Sequence, residues 1–261
     1  MKKTSFITSL LGTALLVIPL GLMADHHERP ELSDVWLIMP KSGMMQQFEA
    51  AVRTHMAFRE DAGETRSWQT YSVALGSNPM LYQFRAGGMN YADQDAWIVE
   101  DQEKGLGDNW FGNVDQYVDH YHHYMESADY ENSNWPADLP QMQYYGVTSW
   151  KWKQGAGPGP GEARKQLSKI AMDNDWEYNW LWLSREAGEP QLMVVSPYEN
   201  FAAMAPPEVE FFDFVAESLG SEEEAGKIFA QFSGGFTGSS YTVWSYRPDL
   251  SSSDMAGADD D

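Results

Sequence analysis

The sequence contains one internal repeat, and this repeat constrains the fold more than any other feature. Five blocks of the first half recur in the second half at a nearly constant offset of 110 to 113 residues. The paired blocks are 34–43 with 146–155, 49–58 with 162–171, 68–84 with 178–195, 89–93 with 199–203, and 134–139 with 246–250. Because the offset hardly changes, we expect two copies of one structural unit.

Hydrophobic periodicity predicts the order of elements within the first copy. A short apolar run at 35–39 is typical of a buried strand, and apolar residues then recur every three or four positions, as on one face of a helix. Two aromatic-rich runs on either side of residues 76–79 predict a hairpin. A second helical region is expected at 93–104 and 113–126, followed by an extended segment near 128–134.

The second copy predicts the same elements in the same order. Its strands are expected at 147–153, 178–184, 191–196 and 240–247, and its helices at 162–173, 207–219 and 221–232. The order β-α-β-β-α-β is that of a ferredoxin-like unit, in which helices cover one face of an antiparallel sheet. The bare faces of two such sheets can cover each other. We therefore expect an α+β fold of two tandem ferredoxin-like units, packed sheet to sheet.

The first residues have the layout of an export signal. Two lysines precede an apolar stretch that ends at Met23 and the small residue Ala24, and charged residues follow. The alternative is an uncleaved membrane anchor. We expect cleavage, and hence an exported protein that is periplasmic or secreted and free of the membrane after the signal is removed.

The remaining boundaries follow from composition. The expected segments are a signal peptide at 1–24, an N-terminal tail at 25–33, the first unit at 34–139, the second unit at 140–250, and a disordered acidic tail at 251–261. The boundary between the units coincides with the proline-rich stretch Trp135-Pro136-Ala137-Asp138-Leu139-Pro140.

Charge and cysteine content exclude several classes of partner and site. The chain carries 17 Lys and Arg against 39 Asp and Glu, a formal charge of −22. This surplus of anions argues against nucleic acid and against an anionic membrane surface. The absence of cysteine excludes disulfides, a thiol nucleophile and cysteine-ligated metals. A small molecule is the expected partner, and assembly into a homo-oligomer is left open.

In element order and duplication, the mature chain resembles the dimeric α/β-barrel superfamily in a single-chain, tandem form. It is nearest in type to the NIPSNAP-type proteins and the antibiotic-biosynthesis monooxygenases. This resemblance implies a small-molecule pocket and, for some relatives, oxygenase or isomerase chemistry without a cofactor. In the haem-bearing, chlorite dismutase-like branch an axial histidine is expected in the second copy. Because no histidine follows His123, haem is not expected here.

Tryptophans of the second copy are candidates for a ligand pocket. Strand alternation predicts that Trp150 and Trp152 share one face, and that Trp180 and Trp182 share another. Trp244 lies on the last predicted strand. If these faces coincide, the indoles could line a pocket for a flat aromatic or sugar-like ligand. The alternative, which we favour, is packing between the two units.

His55 is the candidate general base. It falls three residues after Val52 on the apolar helix face, so we expect it to point at the sheet. A buried neutral imidazole can take a proton from an acidic C–H or a phenol. Arg85 could hold an anionic oxygen, and Tyr71 and Gln83 on neighbouring strands could join them. The favoured alternative is a hydrogen-bonded core histidine beside a rim arginine.

Two histidine clusters could bind a metal ion. On the helix predicted at 113–126, Asp119 or His120 could share a face with His123, although a solvated helix face is the preferred interpretation. If cleavage follows Ala24, the new terminus Asp25-His26-His27 offers a free amine, two backbone amides and an imidazole. That donor set suits Cu(II) or Ni(II), but an ordinary polar tail is preferred.

Two functions remain open from the sequence. The first is an exported protein that binds a small aromatic or apolar ligand, with cofactor-independent, monooxygenase-like chemistry as its enzymatic form. The alternative is a ligand-binding or partner-binding module without enzymatic activity. An enclosed pocket that contains His55 and a second polar group would favour the enzyme, whereas a filled core would favour the module.

Overall fold

The computed structural model describes residues 32–253. The predicted signal peptide at 1–24, the candidate metal-binding residues Asp25, His26 and His27, and residues 254–261 of the predicted acidic tail lie outside the described residues. Within the described part, no helix has the length and hydrophobicity needed to cross a membrane.

Each half of the chain folds into the same sequence of elements. The first unit consists of β1 (Leu32–Pro40), α1 (Met45–Asp61), β2 (Gln69–Leu75), β3 (Tyr82–Met89), α2 (Tyr91–Lys104), α3 (Leu106–Asn113), a 3-10 turn at Asp115–Tyr117, and β4 (Val118–Asn134). The second unit consists of β5 (Tyr144–Trp152), α4 (Gly159–Asp173), β6 (Trp180–Arg185), β7 (Gln191–Tyr198), a 3-10 turn at Ala202–Met204, α5 (Phe211–Leu219), α6 (Glu222–Ser233), β8 (Phe236–Tyr246) and a final 3-10 turn at Pro248–Leu250. The predicted α+β order is confirmed.

The eight strands form one closed antiparallel barrel. Their order around it is β1-β3-β2-β8-β5-β7-β6-β4. Within each unit the strands follow the ferredoxin-like order, and the units join where β2 pairs with β8 and β4 pairs with β6. Closure therefore leaves no open sheet edge in either unit. The two predicted tandem units are confirmed, and their sheets cover each other's bare faces as the walls of a barrel.

Local sequence signals fix where several helices begin and end. At the start of α2, the Asn90 side chain accepts hydrogen bonds from the backbone N–H groups of Ala92 and Asp93, while the Asp93 carboxylate accepts from the Asn90 N–H. This is a capping box, which satisfies N–H groups that the helix leaves free. Gly105 ends α2 with a φ of 64°, a left-handed conformation that glycine adopts without strain.

Strand alternation divides the side chains into an outward set and an inward set. In the first unit, the outward set packs against α1 and α3 around Phe48, Val52, Tyr82 and Phe84. In the second unit, the outward set packs against α4, α5 and α6. The inward set contributes apolar side chains to the barrel interior, among them Leu181, Leu183, Val195, Tyr71 and Trp244.

The helix predicted at 113–126 is wrong, because most of that segment belongs to β4. This strand pairs with β1 from Leu32↔Ser127 to Pro40↔Val118, and then with β6. Aromatic and histidine side chains tolerate a pleated strand well, and the pairing on both sides decides the outcome. Asp119 and His123 are then about 13 Å apart along the strand, too far to share a metal ion. Among the described residues, no group of three or more His, Asp or Glu side chains could hold one.

The predicted ends of the folded region also need correction. Leu32 and Ser33, expected in the N-terminal tail, already belong to β1. At the other end, Ser251 and Ser252 are buried, although we expected disorder from residue 251. Their hydroxyl groups accept hydrogen bonds from the backbone N–H groups of Thr70 and Trp68, each at 2.9 Å. These bonds satisfy backbone groups of the β2 region, so the fold extends to these serines.

Substitution of Phe48 tests the packing of α1 on the sheet. Its side chain is fully buried, with its ring 5.1 Å from that of Tyr82. We expect Phe48→Ala to lower the free energy of unfolding by about 3–5 kcal/mol, because it leaves a cavity in the core. The matched control Phe111→Ala removes a ring that is 67% exposed and should change stability by less than about 0.5 kcal/mol. Urea denaturation followed by circular dichroism measures both; equal effects would contradict the packing described.

Candidate functional site

A cavity of about 470 Å³ lies between the helices of the first unit and the outward face of its sheet. We call it the helix-side cavity. Residues of β1, β3 and β4 form its floor, and residues of α1, α2 and α3 form its walls. Its aromatic lining consists of Trp36, Trp68, Phe84, Trp97, Trp110, Phe111 and Tyr121. Its size and mostly apolar walls suit a flat organic molecule.

A histidine and a buried aspartate meet on the floor of this cavity. Nε2 of His123 lies 2.6 Å from Oδ1 of Asp34, whose side chain is only 2% exposed. A carboxylate accepts hydrogen bonds, so Nε2 donates to Asp34, and in the neutral ring Nδ1 then carries the lone pair. No described residue forms a hydrogen bond with Nδ1, and the His123 side chain is 39% exposed. The imidazole is thus arranged to accept a proton at Nδ1.

Pairing between β1 and β4 fixes the orientation of His123. Trp36 is the register partner of His123, and the two rings stack with centroids 3.9 Å apart and an angle of 11° between their planes. Because stacking fixes the ring plane and Asp34 fixes its rotation, the imidazole is held before any ligand arrives.

Two arginines lie at the cavity wall, each paired with carboxylates. Arg66 lies 3.6 Å from Asp34 and 2.8 Å from Glu64, and Arg59 pairs with the same Glu64 carboxylate at 2.6 Å. The Arg66 guanidinium also lies 5.0 Å from the ring centre of Trp68, which fixes its plane by a cation–π contact. An anionic oxygen formed in the cavity would find a guanidinium within the wall.

A hydrogen-bonded chain adds a neutral polar group to the lining. Nε1 of Trp110 donates to the Tyr121 hydroxyl at 2.9 Å, and that hydroxyl donates to Asp115 at 2.7 Å. Burial raises the pKa of the Tyr121 phenol, so it stays protonated at neutral pH.

His55 lies behind the cavity wall and is not among its lining residues. It is 1% exposed; its Nδ1 bonds to Asn109 at 2.8 Å, and its Nε2 accepts from Nε of Arg59 at 2.6 Å. Its pKa is lowered to about 4, chiefly by burial and also by the positive charge of Arg59, while the bond to Asn109 partly opposes both. In this position His55 is a neutral group that orients Arg59, which does line the cavity.

The structure does not bring His55 together with the other candidate catalytic residues. Arg85, Tyr71 and Gln83 lie on the inward face of the sheet and line a second cavity, inside the barrel. The sheet itself separates them from His55, because side chains at alternating strand positions point to opposite faces.

The five candidate tryptophans are divided between two regions. Trp150, Trp152, Trp180 and Trp182 pack under α4, α5 and α6 of the second unit, whereas Trp244 lines the barrel interior. Two of the indole N–H groups are already used: Trp180 donates to Asn132 and Trp182 donates to Ser168. A single wall of all five indoles is therefore absent from the described residues. The favoured alternative, packing between the two units, is also wrong for the four tryptophans that pack under the helices of their own unit.

Asp34, and His123 in the role of a base, are the functional candidates that sequence reasoning missed, since His123 was considered only as a metal ligand. The signal was present, since Asp119, Tyr121 and His123 alternate as they would on a strand face. It was hidden by the helical interpretation of 113–126, which placed these residues in the wrong geometry. Asp34 was placed at the start of the first unit without a functional role, and only the pairing of β1 with β4 shows it next to His123.

The lowered pKa of His55 predicts a pH-dependent stability. Its unfolded pKa is near 6.5 and its folded pKa is about 4, so the unfolded chain binds more protons between these values. The contribution is complete above pH 6.5 and is lost as pH falls towards 4, to a limit of about 3 kcal/mol. We expect His55→Gln to reduce this acid slope in urea denaturation between pH 7 and 4.5. The exposed-site control His120→Gln should keep it; an unchanged slope in His55→Gln would contradict the assignment.

Comparison with known proteins identifies the fold alone. No protein-family model matches the chain, and no curated protein matches it in sequence. Among solved structures, a provisionally named monooxygenase from Fusobacterium nucleatum superposes with a TM-score of 0.52 at 8% identity, covering 83% of this chain and 92% of the other. One of the same provisional name from Lactobacillus acidophilus NCFM gives a TM-score of 0.51 at 9% identity, covering 85% and 95%.

A chlorite dismutase from Candidatus Nitrospira defluvii gives a TM-score of 0.49 at 9% identity, covering 87% of this chain and 95% of the other. The two matches with TM-scores above 0.5 extend over both units rather than one. Together with the closed eight-stranded barrel and the two copies of the β-α-β-β-α-β order, they show that this chain has a tandem ferredoxin-like α/β-barrel fold, with both units in one polypeptide.

Proposed function

We propose that the protein is an oxygenase that acts on a small, flat aromatic substrate in the helix-side cavity. The substrate would carry a phenol or an acidic C–H group. The observation that carries this proposal is the His123–Asp34 pair, held at 2.6 Å on the floor of an aromatic cavity. A base of this kind can start the reaction by deprotonating the substrate, because the resulting anion is electron-rich enough to react with O₂ directly.

The roles of the residues follow from their positions. Nδ1 of His123 accepts the substrate proton, and Asp34 stabilises the imidazolium that forms. The negative charge left on the substrate oxygen is stabilised by the guanidinium groups of Arg59 and Arg66. Rings such as Trp110 and Phe111 hold the aromatic plane and keep water away from the anion.

The overall reaction balances with O₂ as the oxidant. A substrate CH₂ group loses one proton to His123, and the resulting carbanion passes one electron to O₂. The substrate radical and superoxide then combine to form a peroxide. Loss of water from the peroxide leaves a carbonyl group, so one oxygen atom enters the product and the other leaves as water. The proton held by His123 is returned to that leaving oxygen. Neither the base nor the arginines change oxidation state.

Two further observations support this proposal without testing it. Two solved structures with TM-scores above 0.5 carry the provisional name monooxygenase, although at 8–9% identity the likeness concerns the fold. In addition, Asp34 is a buried carboxylate whose desolvation would be unfavourable without a partner, and such groups are concentrated at functional sites.

Substitution of His123 tests the enzymatic role. We expect His123→Ala to lower kcat/KM for O₂ consumption by about 10²–10⁴-fold, because the base is lost, while substrate affinity changes only a few-fold. A screen of phenols, quinones and sugars by tryptophan fluorescence would first find a ligand, and an oxygen electrode would then measure turnover.

His120→Ala is the matched control for this experiment. His120 lies on the same strand, faces the other way and pairs with Asp119 at the surface, so activity should be retained. Wild-type turnover in His123→Ala would disprove the catalytic assignment. Tight binding with no O₂ consumption from any bound phenol would instead favour the non-catalytic module.

We also propose that the protein is exported after removal of residues 1–24, on the basis of their charge and apolar pattern. Mass spectrometry of the mature protein is expected to give Asp25 as the first residue. Such a terminus should bind one Cu(II) with a square-planar absorption spectrum that is lost in His27→Ala, whereas His26→Ala is the matched control. Any other first residue would rule out this copper site.

A further inference from the structure

The barrel interior contains a second cavity, larger than the first, which the proposed reaction does not use. It has a volume of about 730 Å³ and lies on the opposite side of the sheet from His123. We call it the barrel cavity. Inward side chains from strands of both units line it, and its rim includes the β2–β3 turn at Ser77 and Asn78 and the linker at Leu139 and Pro140. Its volume lies within the range of small-molecule sites.

Positive charge dominates one part of this cavity. Arg85 lies 2.8 Å from one oxygen of Glu126, and Arg185 lies 3.7 Å from the other. The side chains are 17%, 9% and 4% exposed for Arg85, Arg185 and Glu126 respectively. Among the described lining residues there are thus two buried cations and one buried anion. A local charge of +1 stands out in a chain whose formal charge is −22.

Arg185 keeps an unused hydrogen-bond donor. Its guanidinium lies 3.7 Å from the ring centre of Tyr124, which holds its plane, and its contact with Glu126 is long. Its Nε is buried and has no hydrogen-bond partner. A buried donor without a partner is destabilising, so an acceptor from a bound molecule would satisfy a group that the protein leaves open.

The rest of the lining is suited to an apolar body. Leu181, Leu183, Met193 and Val195 form one wall, and the ring of Trp244 contributes to another. Tyr145 also faces the cavity, and burial raises the pKa of its hydroxyl to about 12, so it remains neutral. A molecule that fits this cavity therefore needs an anionic group at one end and a hydrocarbon portion beside it.

We propose that the barrel cavity is a second ligand site, which binds an amphipathic carboxylate with its anionic group at Arg185 and Arg85 and its apolar body against the leucine-rich wall. The site is independent of the helix-side cavity, since the sheet lies between them. It requires both units, because Arg85 comes from the first and Arg185 from the second.

Titration of the whole chain with decanoate tests this site, with calorimetry as the main readout and tryptophan fluorescence from Trp244 as the second. We expect saturable binding at one site, and a roughly 10–100-fold weaker affinity in Arg185→Gln. Decanol, which has the same body without the charge, should bind wild type at least tenfold more weakly than decanoate. Equal affinities for decanol and decanoate, or an unchanged decanoate affinity in Arg185→Gln, would overturn the proposal.

Arg164→Gln is the matched control. The Arg164 side chain is also largely buried, and it lies over the Trp182 ring. It pairs with Asp129, which lies on β4, the strand that also carries Glu126. Arg164 does not line the barrel cavity. Its substitution should leave decanoate affinity unchanged; a loss equal to that in Arg185→Gln would point to general destabilisation and contradict the site.

A second variant keeps the test decisive if Arg185→Gln fails to fold. Val147→Phe adds a ring to the cavity lining without changing charge, and it should weaken decanoate binding at least tenfold. His123→Ala should leave decanoate binding unchanged, whether or not His123 is the base of the proposed oxygenase. Wild-type binding in Val147→Phe, or its loss in His123→Ala, would place decanoate elsewhere and refute the barrel site.

Discussion

The structure depends on the pairing of strand edges between the two units. A single ferredoxin-like sheet has two open edges, which can pair with other chains, and one bare face, whose apolar side chains must be covered. Pairing of β2 with β8 and of β4 with β6 removes all four edges at once and encloses both bare faces. This closure also creates the two environments of the molecule, an outward face covered by helices and an inward face covered by the other unit. Each environment contains one of the two cavities.

The two copies use the outward face differently. In the second unit, Trp150, Trp182, Phe232 and Phe236 bring their rings to within about 6 Å of one another and fill the space under the helices. In the first unit, the corresponding space is bordered by a histidine, two carboxylates and two arginines in addition to aromatic rings. Duplication permits this division, since one copy can maintain the packing of the fold while the other keeps an open cavity.

Charged groups buried in this way rarely add stability. Removing a carboxylate such as Asp34 or Glu126 from water is unfavourable, and its partners recover that free energy only when the geometry is good. Hydrophobic residues of the same size at these positions would avoid the unfavourable desolvation of charge. Both cavities nevertheless contain clusters of charged side chains, and the net charge of the two clusters differs. This difference fits two sites that recognise different ligands. The neutral state of His55 fits the same view, because it holds Arg59 in place without adding another charge.

The sequence by itself determined the architecture. The constant repeat offset, together with the change between strand-like and helix-like hydrophobic periodicity, predicts two β-α-β-β-α-β units. Local patterns such as the apolar face of α1 place the ends of most elements within a few residues of their observed positions. Local patterns could not decide the 113–126 segment, because its aromatic and histidine residues suit either a helix or a strand. Pairing with β1 along residues 118–126 makes it a strand, and β6 pairs with the residues of β4 that follow. The sites depend on the same long-range pairing, which places Asp34 beside His123, 89 residues later, and Arg85 near Arg185 across the barrel. Contacts of this kind are set by the register between distant strands, and no periodicity within one segment contains that information.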